Sequence, residues 1–233
     1  MFLVGLTVAA VVVILVAVGG FLVYTKLKPG PTATSTISPN NNATVPTAVT
    51  TEAVRYWLML EPASAKEAPT RVAGLVPIAS GQSFQMRFVF PENGYVYIVG
   101  PGGESNEPTA FLTTKPAPQS GVTSNEVKGG SEFSFPSGDG LLQLDAKPGA
   151  DKFTVIFSKA RLESPSFLNA KVVNKPLSPD QLKEFNDFVS KNMQKPPANE
   201  LDDSNNQSPF VRVKVGADRL VNPVVFEIRI QHN

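Results

Sequence analysis

The sequence predicts a mainly β (α+β) fold: a β-sandwich-like antiparallel domain with one docked C-terminal helix, preceded by a single transmembrane helix. Three observations predict it. An uncharged apolar run opens the chain, many short stretches alternate between apolar and polar residues, and one later segment has apolar residues at helical spacing. The chain therefore divides into a transmembrane anchor at 1–25, a Thr/Pro/Ser-rich linker at 26–52 and a mainly β domain at 53–233.

The anchor is the run 2–24, which contains no charged residue and no proline. As a helix it would extend roughly 34 Å, enough to cross the hydrocarbon core of a bilayer. The alternative is a cleavable signal peptide, because Ala17-Val18-Gly19 has small residues at the two positions that signal peptidase reads. Only Met1 precedes the run, so the basic region of a signal peptide is missing, which favours an uncleaved anchor.

The linker is rich in Thr, Pro, Ser and Asn and nearly free of large apolar residues. Such a composition buries too little surface to offset the entropy lost on ordering, so it predicts an extended, solvated stalk. Its four prolines favour polyproline II, which gives a reach of about 30 to 70 Å.

Charge and cysteine content exclude several classes of function. All 20 acidic residues and 19 of the 21 basic residues lie beyond residue 51, so the domain carries a net charge of −1. With no cluster of Lys or Arg, this balance argues against nucleic acid as a partner. The chain has no cysteine, which excludes disulfides, zinc–thiolate sites and thiol nucleophiles.

Period-two alternation predicts the strands of one domain. Residues 54–60 are rich in aromatic and β-branched side chains, and residues 83–90 place three Phe and one Met on a single face. The connection 91–94 then leads to a strand at 95–99, and its Asn-Gly pair predicts a hairpin at the heart of the sheet. The further predicted strands are 110–113, 132–135, 141–144, 152–158, 210–215 and 224–230.

One segment has a helical pattern instead. Ser178 is a good N-cap, Pro179 suits the first helical position, and Gln181 occupies the capping-box position. We expect a helix from about 179 to 193 that docks an apolar stripe on the β core. The stripe consists of Leu182, Phe185, Phe188, Val189 and Met193.

No catalytic or metal site is predicted. His232 is the only histidine and lies one residue from the C-terminus, where we expect a solvated side chain, so Ser-His-Asp triads and His-based metal sites are excluded. The glycines of 100–105 lack the Lys-Ser/Thr of a phosphate loop and predict a turn. Turn residues and a solvated loop explain the remaining carboxylate clusters, which are Asp139, Asp145, Asp151, Glu200, Asp202 and Asp203. We expect no cofactor.

Candidate ligand-binding residues are Tyr95, Tyr97 and Asn93. The two tyrosines share one face of their predicted strand and combine a large apolar area with a hydroxyl group, as recognition surfaces often do. The alternative, which the pattern favours, is that both tyrosines belong to the core and pack against the phenylalanine face of 83–90.

A family resemblance is carried by the stretches 80–84, 93–99, 111–113 and 133–136 and by Gly149 followed by 153–158. These stretches resemble the bacterial domain-of-unknown-function family 4384 over about 72–158, with a plausible continuation to the C-terminus. Members of that family commonly follow bacterial serine/threonine kinases or caspase-like proteins, often beyond a membrane span. The resemblance implies an accessory sensing or interaction module and transfers no catalytic residue.

The sequence features that bear on the orientation of the domain in the membrane disagree. Lys26 and Lys28 follow the span and favour a cytoplasmic domain by the positive-inside rule. The uncharged stalk and the arrangement of the similar family favour export, and we expect an extracytoplasmic domain.

The expected function is that of a membrane-anchored accessory sensing or binding module of a bacterial envelope or signalling system, without catalysis. The expected partners are the membrane through residues 2–24, a protein or small ligand, and a kinase-type signalling protein, but no nucleic acid. Two alternatives stay open: a carboxylate-dependent envelope hydrolase and a purely structural envelope component.

Overall fold

The computed structural model describes residues 50–62, 66–75, 77–102, 106–172, 175–193, 196–221 and 223–233. The predicted anchor and the linker up to residue 49 lie outside these residues. Within the described ranges, no helix is both long enough and apolar enough to span a membrane.

The described residues form two antiparallel sheets and one α-helix, which confirms the mainly β fold class. The strands are β1 (Thr50–Leu60), β2 (Thr70–Val72), β3 (Ser83–Val89), β4 (Gly94–Gly102), β5 (Glu107–Leu112), β6 (Glu126–Val127), β7 (Glu132–Phe135), β8 (Leu142–Gln143), β9 (Gly149–Ser158), β10 (Ala198–Asp202), β11 (Phe210–Gly216) and β12 (Val224–His232). The first sheet has the order β10-β11-β1-β3-β7, with β2 beside β1 and β8 beside β3. The second has the order β12-β9-β4-β5, with β6 beside β4.

The main core lies between the two sheets. The predicted apolar row of β3 and its continuation at Phe90 is completely buried, and it meets the inward rows of β4, β9 and β12. Phe84 contacts Phe153 edge-on, and Phe90 stacks on Phe157 with ring centroids 4.7 Å apart. Truncating such a phenylalanine to alanine typically costs about 3–5 kcal/mol, so these aromatic contacts are a major part of what holds the sheets together.

The predicted hairpin between β3 and β4 is wrong. β3 pairs with β1, β7 and β8, whereas β4 pairs with β5, β6 and β9, so the connection crosses from one sheet to the other. Each of these two strands has an apolar face that must be buried. Both faces are buried when the strands lie opposite each other across the core. Gly94 serves this crossing, because a Cβ there would lie 2.6 Å from the ring of Phe157 and from the carbonyl oxygen of Ser158.

The helix α1 spans Pro179–Asn192, as the sequence predicts. Its capping box is formed: the Ser178 hydroxyl accepts from the Gln181 N–H at 3.3 Å, and the Ser178 N–H donates to Gln181 Oε1 at 3.1 Å. The predicted stripe packs on the outer face of the second sheet, where Phe185 is buried against Phe167. A second, smaller apolar cluster is thereby formed on the side of that sheet opposite the main core.

Several strand boundaries differ from the predictions. β1 begins at Thr50, inside the predicted linker, because Thr50 and Thr51 pair with the end of β11. β10 occupies part of the acidic segment expected to be a solvated loop. Its side chains reach basic partners on β11, with Glu200 on Lys214 and Asp202 on Arg212, so a polar strand is stable at this sheet edge.

We expect residues 50–233 to remain in solution without the anchor and to unfold cooperatively, because both apolar clusters lie within this range. Circular dichroism should report mostly β structure with a minor helical component. A helix-dominated spectrum, or unfolding that differs between circular dichroism and tryptophan fluorescence, would contradict this expectation.

Candidate functional site

A groove lies at one lateral edge of the sandwich, where β5 of the second sheet approaches β7 and β8 of the first. It contains two cavities of about 400 and 350 Å³ that share Phe111, Leu141 and Leu142. We call it the edge groove. Cavities of this size fall in the range of about 300–1,000 Å³ that is usual for small-molecule sites.

The edge groove is mainly apolar. Leu141 is 41% exposed, and Phe111 and Leu142 beside it are only partly buried. Phe135 and Phe153 of the main core close the groove at its inner wall. Adjoining apolar side chains left open to water in a concave surface are typical of a site that another molecule covers.

The loop that presents Leu141 is fixed by a buried amide. Gln85 on β3 is 6% exposed, and its Nε2 donates to the carbonyl oxygens of Gly138 and Gly140 at 2.8 and 2.7 Å. Gly138 has a φ of 61°, which favours glycine at this turn. Two hydrogen bonds to one side chain hold the turn against β3, so the exposure of Leu141 is built into the fold.

The outer edge of β5 is partly occupied. The Leu177 N–H donates to the Pro108 carbonyl at 2.8 Å, and Pro176 forms a bridge to Thr109. Just beyond β5, the Thr113 hydroxyl donates to the Ala170 carbonyl at 2.7 Å. Residues 175–177 therefore lie along the start of this edge and compete there with an extended peptide.

Two carboxylates line one of the two cavities. β9 points Phe153, Val155 and Phe157 into the main core, and Asp151 continues the same inward row by one position. Asp151 is only 6% exposed, and Asp145 lines the same cavity. A carboxylate therefore stands at a position where the strand pattern calls for an apolar side chain.

Burial raises the pKa of Asp151, because the charged carboxylate loses water. Nearby His232 acts in the opposite direction, and the negative charge of Asp145 adds to the rise. The closest approach between Asp151 Oδ1 and His232 Nε2 is 3.8 Å, which is too long for a hydrogen bond.

His232 is not solvated, so that prediction is wrong. It is 4% exposed and lies at the end of β12, paired with Gly149. Its Nδ1 lies 2.9 Å from the Ser80 hydroxyl, and the Ser80 N–H donates to the carbonyl of Asn233 at 3.0 Å. The chain end is therefore a strand held by backbone and side-chain contacts, although terminal residues usually fray.

Ser80, His232 and Asp151 lie close together, but the backbone N–H groups at Ser80 and Gly81 are already used in hydrogen bonds. The N–H groups of Ser80 and Gly81 both donate to backbone carbonyls, those of Asn233 and Asp145. Stabilising an oxyanion requires free donors aimed at one point. The contacts of Ser80 and His232 instead fasten the C-terminal strand to the segment before β3.

The predicted ligand residues lie away from the edge groove. Tyr97 is completely buried under α1, and its hydroxyl donates to the Leu162 carbonyl at 3.1 Å and accepts from the Leu162 N–H at 2.6 Å. Tyr95 is partly buried in the same apolar cluster, and the Asn93 side-chain oxygen accepts from the Gly129 N–H at 2.9 Å. The core alternative placed the tyrosines against β3, whereas they face the helix. A ligand role for Tyr95, Tyr97 and Asn93 stays a prediction.

Metal and phosphate chemistry find little support in the described part of the chain. Its His, Asp and Glu residues include no group of three or more that could hold a metal ion. In the glycine-rich run, Gly100 serves packing, since a Cβ there would lie 2.5 Å from Phe153.

A second notable surface is the outer face of the first sheet. The guanidinium group of Arg71 lies 3.8 Å above the ring of Trp57, and its Nε donates to the Pro209 carbonyl at 2.9 Å. Phe210 is within 6 Å of Arg71 and Arg55. These contacts cover the single tryptophan of the chain and make its fluorescence a reporter for the fold of this sheet.

No protein-family model, no curated protein and no solved structure matches this chain. The resemblance of residues 72–158 to the family 4384 therefore stays a prediction.

Proposed function

We propose that this chain is an accessory sensing or binding module that takes an apolar or amphipathic ligand into the edge groove, without catalysing a reaction. The observation that carries the proposal is the groove itself, with Leu141 held in an exposed position beside Phe111 and Leu142. The buried hydrogen bonds of Gln85 support it, because a loop fixed in place preserves the shape that a ligand meets.

The proposal includes attachment to a bacterial membrane through residues 2–24 and a place in an envelope or signalling system, where a kinase-type protein is a candidate partner. Support for the membrane attachment comes from the uncharged apolar run and the linker composition. The bacterial system and the kinase-type partner rest on the resemblance of about 72–158 to the family 4384. A purely structural role is the simplest alternative, but it does not explain why the groove is open.

A second candidate, a carboxylate-dependent hydrolase, is favoured by one observation: Asp145 and Asp151 line the same cavity, and the pKa of Asp151 is raised. Against it, Asp145 Oδ1 accepts from the Lys147 N–H at 2.8 Å, as in an ordinary turn. Hydrolysis of a glycoside or ester substrate that is lost in Asp145→Asn and in Asp151→Asn would favour this candidate over a binding module.

The binding proposal is tested with N-phenyl-1-naphthylamine, a neutral dye whose fluorescence rises in apolar sites. We expect saturable binding of one dye per chain to residues 50–233, lost in Leu141→Asp and kept in Leu201→Asp. Leu201 is a matched control because it is 48% exposed on β10, at the far edge of the first sheet. Equal loss in both variants, or no saturable binding, would contradict the proposal.

The proposed orientation has its own test. Protease added to spheroplasts that express the full chain should digest the domain, because the stalk would hold it outside the cytoplasmic membrane. A cytoplasmic marker protein should stay intact in the same sample. Full protection of the domain would place it in the cytoplasm, as Lys26 and Lys28 alone predict.

A further inference from the structure

We propose that the edge groove is selective for a small amphipathic primary amine, whose ammonium group pairs with Asp151 while its apolar part covers Phe111, Leu141 and Leu142. This inference rests on the proposed function and names the ligand class for the same groove. It concerns a binding site, so no bond is made or broken.

The first argument is the free-energy cost of holding the Asp151 carboxylate in a largely buried position. Its side chain is 8% exposed and occupies an inward position of β9, next to Phe153. A buried carboxylate is stabilised by hydrogen bonds or by a cation, and an unpaired one is expensive. The Nε2 of His232 lies 3.8 Å from Asp151 Oδ1, a contact that is an ion pair only when the imidazole is protonated. The Asp151 oxygens are not among the fully enclosed polar atoms of the described residues, so they face the cavity, where the cation of a ligand can reach them.

The second argument is the charge of the cavity. Its described lining contains Asp145 and Asp151 but no Lys and no Arg. Lys152, the neighbour of Asp151 on β9, points to the other face of the sheet and pairs with Glu227 at 3.3 Å. The acidic end of the cavity therefore has a surplus of negative charge, and a cationic group on a ligand would offset it.

The third argument selects the kind of cation. A metal ion needs several converging ligands, and the described residues provide no group of three. An ammonium group needs only one or two acceptors. It donates up to three hydrogen bonds, which the carboxylate oxygens of Asp151 and Asp145 can accept. The adjoining apolar wall, with Leu141 exposed, provides contact for an alkyl or aromatic tail.

The fourth argument concerns size. A peptide that presents a lysine would bring the same ammonium chemistry, but an extended backbone would need a free strand edge beside the groove. At the start of β5 this edge is already taken, because the Leu177 N–H donates to the Pro108 carbonyl and Pro176 bridges to Thr109. Cavities of about 350 and 400 Å³ suit a compact ligand.

The test uses the full chain in nonionic detergent, and three proteins share the same micelle background: wild type, Asp151→Asn and Asp203→Asn. Asp203 is an exposed residue in the loop after β10, far from the edge groove, so its substitution changes the net charge equally without touching the cavity. Thermal unfolding is followed by tryptophan fluorescence during titration with hexylamine, with hexanol and with Nα-acetyl-lysine methylamide. The amine is protonated at neutral pH, and hexanol has the same tail without the charge.

We expect hexylamine to raise the unfolding temperature of the wild type and of Asp203→Asn by about 3–5 °C at a tenfold excess over its dissociation constant. Hexanol should give a smaller rise, and Asp151→Asn should respond to both probes as to hexanol. Equal rises with both probes in all variants would overturn the amine selectivity and leave the groove function standing. A response to the lysine derivative alone would overturn a simple alkylamine as the ligand, because that probe presents the same ammonium group on a peptide-like backbone. No response to any probe would overturn both proposals.

Discussion

Phe185→Asp is expected to lower the free energy of unfolding by about 3–5 kcal/mol, because it removes a buried aromatic ring and places a charge in an apolar cluster. Phe185 is 6% exposed in α1 and meets Phe167 edge-on, with ring centroids 5.5 Å apart. Denaturant unfolding of residues 50–233, followed by circular dichroism, measures the change.

The matched control is Lys183→Ala on the exposed face of the same helix. Lys183 is 79% exposed and its ion pair with Asp187 is exposed as well, so its loss should leave the free energy of unfolding nearly unchanged. Equal destabilisation by the two substitutions would show that the stripe around Phe185 does not hold the helix on the sheet.

Tyr97→Phe is expected to destabilise the domain by about 1–3 kcal/mol, although it removes a single oxygen atom. The Tyr97 hydroxyl bridges the N–H and the carbonyl of Leu162, and both groups lose this partner in the variant. Tyr95→Phe should be nearly neutral, since the described structure shows no hydrogen bond from the Tyr95 hydroxyl. Denaturant midpoints compare the two, and a Tyr97→Phe variant as stable as Tyr95→Phe would refute the role of the bridge.

Local sequence signals predicted the elements of this fold well. The capping residues Ser178 and Gln181 and the apolar stripe define α1, and period-two alternation defines the long strands. The pairing of strands was harder to predict, because the Asn-Gly pair before β4 is compatible with both a hairpin and a crossing between sheets. What decides between them is the packing of Phe90 on Phe157, two residues far apart in the chain.

The period-two alternation of β9 and β12 extends beyond the strand bounds that the sequence predicted. The inward row of β12 runs from Val224 to Ile230, and one more step places His232 on the same face. In the same way, one step back from Phe153 on β9 leads to Asp151. Extending both rows would have brought a histidine and a carboxylate to the end of the core, against the general expectation that termini fray.

The edge groove itself had no sequence signal. Its residues come from separate elements, with Phe111 on β5, Leu142 on β8 and Leu141 in the turn before it. An exposed leucine is common on protein surfaces and by itself indicates nothing. Only the fold places Leu141 beside the opening between the two sheets and fixes it there through Gln85.

The central claim is that the edge groove is a ligand site, and methyl NMR of leucine-labelled 50–233 during titration with hexanol tests it most directly. The account predicts saturable shifts for the methyl groups of Leu141 and Leu142, with one common dissociation constant. Leu201, which is 48% exposed at the far edge of the first sheet, should shift little and without saturation. Shifts of equal size at all three leucines, or none at Leu141 and Leu142, would contradict the account.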